Sequence, residues 1–225
     1  MKLRMTLCGT LVFLAGLAAG WFARPALRDS HAVDAAPASS FLAVPDVFQS
    51  TGYSCGVSAL QSILAYWGIE AREAELFRSL GTTEQDGTSP ENITRVARSY
   101  GLTARMQEGA TVRDIAAALA KREPVIVDIQ AWPDKSTGNT RWDNDWEDGH
   151  YVIAIGLDEK NLYVEDPSLI GCRGFIPLTE FQSRWHDYEG KPPYSNNSTQ
   201  RTYFWLAIFI EGKQKPSSSP LCPVN

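Results

Sequence analysis

The chain has 225 residues, 44% of them hydrophobic and 21% charged, which is enough for one sizeable domain whose core needs no disulfide staples. A formal net charge of -5 without any basic stripe excludes a primary nucleic-acid partner, because phosphate binding requires clustered Lys and Arg. The four cysteines show no CxxC spacing and the three histidines no HExxH spacing, and neither a P-loop nor a GxGxxG pattern occurs, which argues against zinc, redox-pair and nucleotide motifs.

Lys2 and Arg4 precede an uncharged, apolar-rich run over 5–23. A signal peptide has this shape, but its apolar core spans only about 7–15 residues, whereas a membrane-spanning helix needs roughly 20. The first A-x-A pattern, Ala36 to Ala38, lies far beyond the run, so residues 1–23 are expected to form an uncleaved signal anchor rather than a cleaved signal peptide. Gly16 and Gly20 make a GxxxG that so Ala-rich a segment produces by chance, and Cys8 reads as an apolar filler or an acylation site. Residues 24–40, rich in Ala, Pro, Asp and Ser, read as a linker containing a solvated His31. Arg24 and Arg28 offset Lys2 and Arg4, so the charge rule gives only a weak orientation. The signal-like segment places the membrane-anchored domain outside the cytoplasm, in the periplasm or the extracellular space.

The folded domain is expected over 41–212, followed by a Pro- and Ser-rich, disordered tail over 213–225. FLAVPDVFQ reads as a strand. In CGVSALQSILAYWG, the spacing of Val57, Leu60, Ile63, Leu64 and Trp67 predicts a helix that Gly68 stops. Residues 72–80 give a second helix. Ser89 as N-cap, Pro90 in the first turn and Gly101 as terminator bound a third, and Thr111 with Asp114 form a capping-box pattern for a fourth. The character then changes to the strands PVIVDIQAW, HYVIAIGL, NLYVED and GFIPL, a short helix LTEFQSRW and one last strand TYFWLAIFI. Helices first and strands afterwards predict an α+β fold, a helical half packed as a second layer on an antiparallel β-sheet.

Cys55 follows the turn-like STGYS and opens the first helix, where the positive end of the helix dipole favours a thiolate. Gly56 is expected to leave the front of the helix uncrowded for a substrate carbonyl. Gln49, six residues earlier, offers a side-chain amide as an oxyanion donor beside the backbone N–H of Cys55. A cysteine nucleophile needs an imidazole within reach. His150 suits that role because Gly149 makes a turn and His150 then opens a strand facing the space between the layers, whereas His186 follows a short helix. Asp166, sixteen residues after His150, ends the next strand, so a hairpin brings its carboxylate beside the imidazole to fix the ring. Asp158 competes for this role but belongs to a tight turn facing water.

The segments VFQSTGYSCGVSALQSILAYWG, DGHYVIAIGL and VEDPS resemble the C39 peptidase family over roughly 44–185. The resemblance implies a papain-like fold and a cysteine peptidase in which Gln49 is the oxyanion residue, Cys55 the nucleophile, His150 the base and Asp166 the orienting acid, with no metal or cofactor. Bacteriocin-processing members cut leader peptides after a double glycine and are fused to exporters. This chain has Ser54 where those members have Asp, carries no ATPase motif, and has a longer segment before His150, so it resembles the stand-alone members. The partners implied are a peptide or protein substrate, the membrane through the N-terminal segment, and a separate exporter. Two other functions fit the same residues: a peptide-binding module that does not cut, and a thiol acyltransferase or amidase.

The segment before His150 carries Trp132, Trp142 and Trp146 among Asp143, Asp145, Glu147 and Asp148. It reads equally as a substrate-binding rim and as an acidic surface loop anchored by tryptophans. A calcium loop has similar acidity, but the Gly falls one place late for the EF-hand pattern. Outside the cytoplasm, Cys172 and Cys222 are candidates for a disulfide.

Overall fold

The computed structural model describes residues 41–132, 141–191, 193–195 and 197–213. The expectations for residues 1–40, for Cys222 and for the tail beyond Lys213 lie outside the described residues.

Four helices precede most of the sheet. Helix α1 (Cys55–Tyr66) buries the face built from Val57, Leu60, Ile63 and Leu64, and Gly68 leaves it at a φ of 75°. Helix α2 (Glu73–Leu80) has Glu73 and Glu75 in its first turn and Arg78 in its last, matching the helix dipole, and closes on Gly81 in the left-handed conformation. Helix α3 (Pro90–Ser99) starts with Pro90, whose missing N–H costs nothing at a first-turn position. The predicted capping box opens α4 (Val112–Ala120): the Thr111 hydroxyl accepts from the Asp114 N–H at 3.2 Å, and the Asp114 carboxylate accepts from the Thr111 N–H at 2.8 Å.

The remaining elements are β1 (Thr103–Gln107), β2 (Val125–Gln130), a single 3-10 turn (Trp142–Asn144), β3 (Gly149–Leu157), β4 (Asn161–Glu165), β5 (Gly174–Pro177), α5 (Leu178–Arg184), β6 (His186–Glu189), β7 (Arg201–Phe204) and β8 (Ala207–Glu211). Six strands form an antiparallel sheet in the order β1-β8-β2-β3-β4-β5, and β6 and β7 pair as a separate ribbon. Strand alternation divides the core. Ile126, Tyr151, Ile153 and Ile155 pack with α1 to α3 on one face, while Val125, Val127, Val152 and Ala154 pack with Ile115 and Ala118 of α4 and Phe181 of α5 on the other. The predicted α+β class and antiparallel sheet are therefore observed, and α4 and α5 add cover to the second face.

Four expectations are corrected. TYFWLAIFI is two strands, because Trp205 turns the chain at a φ of 54°, sending β7 to the ribbon and β8 into the main sheet. The segments forming β1 and β6 were not read as strands; each is short and lies where helix signals dominate. FLAVPDVFQ forms no strand and joins no ladder among the described residues. A bulge between Ala154 and Gly156 takes Ile155 out of the β3–β4 register, and the Ile155 carbonyl accepts from Leu42 N–H at 2.8 Å. Gly149 is no turn residue; it is the first residue of β3, paired with Gln130.

Candidate active site

The turn before α1 is tied together by Ser54. Its hydroxyl donates to the Thr51 carbonyl at 3.2 Å and accepts from the Thr51 N–H at 3.0 Å. That hydroxyl consequently does not cap α1, and the first N–H groups of a helix have no intrahelical partner, so the positive end of α1 stays open at Cys55. Gly56 does not leave free space as expected. A β-carbon there would stand 2.7 Å from the Thr88 β-carbon and 3.1 Å from the Tyr151 ring, so glycine serves close packing of the 82–88 loop against the helix.

His150 is 2% exposed and its Nε2 lies 2.7 Å from Asp166 Oδ1. Asp166 Oδ1 also accepts from the N–H of Ser168 at 2.8 Å and from its hydroxyl at 2.7 Å. The hairpin that brings acid and imidazole together is β3–β4, as its spacing implied. Asp158 is not part of this arrangement; its carboxylate accepts from the N–H groups of Lys160 and Asn161 and from the Tyr163 hydroxyl.

The Cys55 thiol is half-buried and within hydrogen-bonding reach of the His150 ring. Because Asp166 occupies Nε2, Nδ1 is the nitrogen left for the thiol. Burial works against a charged imidazole, but the hydrogen bonds to Asp166 and Cys55 and their negative charges outweigh it and push the His150 pKa up to about 9. Burial would raise the Asp166 carboxyl, yet the His150 hydrogen bond and charge, with the Ser168 donors, hold it below its ordinary value. Trp132 covers this pair with its ring centroid 5.0 Å from that of His150.

Gln49 is 9% exposed. Its backbone N–H donates to the Pro167 carbonyl at 2.9 Å, next to Asp166, and its Nε2 donates to the Thr51 carbonyl at 2.8 Å. An amide nitrogen carries two hydrogens. One of them pins Gln49 to the turn that ends at Cys55.

A cleft of about 280 Å³ opens beside Cys55 and His150, between the 84–90 loop, the end of the β2–β3 connection and residues 187–190 of β6 and its exit. Trp146 and Glu147 line it, as a rim reading of that connection requires, while Trp142 lies under the Arg184 guanidinium at 4.1 Å, away from the cleft lining. Residues 133–140 of the connection lie outside the described residues. Among the described residues its acidic side chains do not gather into a metal-holding set. His186 is buried, bonds the Asp145 carbonyl through Nε2 at 2.7 Å and packs on Trp146, a structural role. Cys172 is exposed and has no disulfide partner among the described residues, and its proposed partner Cys222 lies outside them.

The sequence reading missed two residues that share the cleft, Asp128 and Asp187. Asp128 is buried and Asp187 half-buried beside it, and burial followed by the neighbouring charge raises Asp128 strongly, while loss of hydration raises Asp187. The available signal was a carboxylate in the middle of the otherwise apolar run PVIVDIQ.

Several known proteins resemble this chain. An uncharacterized protein of Methanothermobacter marburgensis is 31% identical over 123 residues, 55% of this chain and 71% of that protein. The pediocin PA-1 transport/processing ATP-binding protein PedD of Pediococcus acidilactici is 26% identical over 131 residues, covering 58% of this chain but only 16% of that much longer protein. A solved structure of a putative C39-like peptidase from Bacillus anthracis superimposes with a TM-score of 0.56 at 18% identity, covering 78% of this chain and 98% of that one. The peptidase domain of Streptococcus ComA gives 0.50 at 20% identity, covering 74% and 97%. Residues 41–192 match the Peptidase_C39 like family, and with the match spanning most of the chain and the papain-like fold in agreement, this protein belongs to that family.

Proposed function

We propose that this chain is a cysteine peptidase acting through Cys55, His150 and Asp166, with Gln49 as oxyanion donor. The observation that carries the reading is the buried His150 ring, held through Nε2 by Asp166 at 2.7 Å and acted on by the neighbouring Cys55 thiol. The thiolate sulfur attacks a peptide carbonyl carbon, and the displaced electron pair collects on oxygen, facing the Cys55 N–H and the second amide hydrogen of Gln49. As the carbonyl re-forms, the C–N bond breaks and the imidazolium gives its proton to the departing amine. Water then attacks the thioester while His150 takes its proton; the C–S bond breaks, and the thiolate and a carboxylic acid result. No metal or cofactor enters these steps.

A peptide substrate is supported by the family and by the likeness to a transport/processing protein. Anchoring through the apolar run over 5–23, a periplasmic or extracellular domain and a separate exporter partner complete the proposal. The full-length protein and its Cys55→Ala variant, each incubated with a mixed peptide library, test it by mass spectrometry of new termini. Cleavage by the parent protein alone is expected. Equal cleavage by both refutes the nucleophile, binding without cleavage favours a recognition module, and products joined to an added amine favour acyl transfer.

A further inference from the structure

Apart from the imidazole of His150, the charged side chains of the cleft beside Cys55 are all acidic. Glu84, Asp86, Asp128, Glu147, Asp187 and Glu189 line it, and no Lys or Arg does so among the described residues. Its volume, about 280 Å³, is at the small end for ligand sites and suits one extended side chain rather than a whole cofactor.

Asp128 sets this apart from a solvated acidic surface. It is 3% exposed, lies in the middle of β2 and lines the cleft, and its Oδ1 is buried without a hydrogen-bond partner among the described residues. An unpartnered buried carboxylate oxygen is costly, and an apolar side chain at this place in the strand would avoid the cost. Asp187, by contrast, is fixed: Gln130 Nε2 donates to its Oδ1 at 3.2 Å, and the carboxylate rests against Gly149, where a β-carbon would come within 2.2 Å of Oδ2. Two carboxyl groups side by side, Asp128 buried and Asp187 half-buried, hold on to a proton, and for Asp128 the raised affinity reflects burial first and repulsion by Asp187 second. An ammonium or guanidinium entering the cleft would take the place of that proton, donate to Asp128 Oδ1 and neutralise the pair. The aromatic walls, Trp146 and Tyr188 among them, suit the apolar stem of a long basic side chain and its charged end.

We propose that this cleft is a specificity subsite for a positively charged substrate group next to the scissile bond, a Lys or Arg side chain or a free amino terminus, with Asp128 and Asp187 at its base. This names the substrate class for the peptidase reading given above and rests on it.

Three thiol reagents of similar size but different charge separate the two ideas: aminoethyl, hydroxyethyl and sulfonatoethyl methanethiosulfonate. Each is reacted with the full-length protein, and modification at Cys55 and at exposed Cys172 is followed by peptide mapping, so that Cys172 serves as an internal reference. Relative to Cys172, the cationic reagent is expected to modify Cys55 at least about tenfold faster than the anionic one. The ratio should shrink severalfold in Asp128→Asn/Asp187→Asn, each variant's rate with the neutral reagent serving as its own denominator. Should that variant fail to fold, Glu84→Gln/Glu189→Gln at the cleft wall is expected to shrink the ratio too. Equal rates for the three charges, or a ratio untouched in a folded variant, overturn the subsite. Failure of the neutral reagent to prefer Cys55, or its indifference to His150→Ala, instead overturns the peptidase reading, whatever the order of the charges. Quenched peptides with Lys, norleucine or Glu on either side of the cut then extend the test to substrate, Lys being expected to lead by about tenfold and norleucine at parity with it counting against the proposal.

Discussion

The carboxylate of Asp187 occupies the space that a side chain at residue 149 would need: a β-carbon on Gly149 would lie 2.2 Å from Oδ2 and 2.6 Å from the carboxyl carbon. The backbone immediately before His150 is thereby seated on the β6–β7 ribbon. Gly149→Ala is expected to destabilise the domain by about 2 kcal/mol or more, the range of overpacking in tight sites, and to slow Cys55 modification by shifting His150. Asp187→Ala in the same chain should restore part of the stability. Urea denaturation of the two variants checks this, and an unperturbed Gly149→Ala protein refutes the seating.

Removal of the imidazole should be the most damaging change at the site. His150→Ala is expected to lower turnover of a cleavable peptide by about 10³-fold, within the span of general acid–base contributions. Gln49→Ala should cost about 10²-fold in kcat, as loss of one oxyanion donor does elsewhere. Asp166→Asn should retain the fold yet act mainly on kcat, since it disturbs the ring rather than substrate contacts. Steady-state kinetics of the three variants decide among these roles, and a KM effect alone for Asp166→Asn would contradict ring positioning.

The His150 pKa of about 9 fixes the alkaline limb. The leaving amine takes its proton from the imidazolium, so turnover should hold steady between roughly pH 7 and 8 and fall as the ring loses its proton through about 9. The same shift acts on folding. An unfolded histidine titrates near 6.5, so the stabilisation from the charged ring is fully present below that pH and is lost as pH rises through the folded value. Part of the upward push comes from Cys55, and Cys55→Ala should therefore move the ring's NMR titration midpoint downward. An unchanged midpoint would show that the thiol does not face the ring.

Away from the site, Glu165 is 1% exposed and is ion-paired with Arg173, whose guanidinium also donates to the Val44 carbonyl at 2.6 Å. Arg173→Ala strands a buried carboxylate and should cost about 3 kcal/mol in denaturant unfolding. Arg173→Ala/Glu165→Gln should recover part of that loss.

The candidate site was legible to the extent that its parts are local. Cys55 announces itself as a thiol between a turn and a helical pattern, and His150 and Asp166 bracket one hairpin whose short connection forces them together. What pairs with what at long range was not legible. Asp128 and Asp187 meet only because β6 folds back over the end of β2, a contact no spacing in the chain encodes. Trp205 likewise hides a break inside an apolar run, since a non-glycine residue at positive φ leaves no mark in the hydrophobic pattern. Ser168 escaped notice because its hydroxyl acts on the acid two residues before it, a turn bond rather than a catalytic signature.

The place of β8 between β1 and β2 sets the timetable of assembly. The sheet cannot knit across its middle until residues 207–211 have been synthesised, so a nascent chain that already holds its cysteine and histidine still exposes two raw strand edges. Closure waits for the final strand to slot in, a contact between distant parts of the chain that forms slowly. A nick in the 205–207 connection would therefore unlatch the sheet at its centre, far from the sulfur it keeps in place.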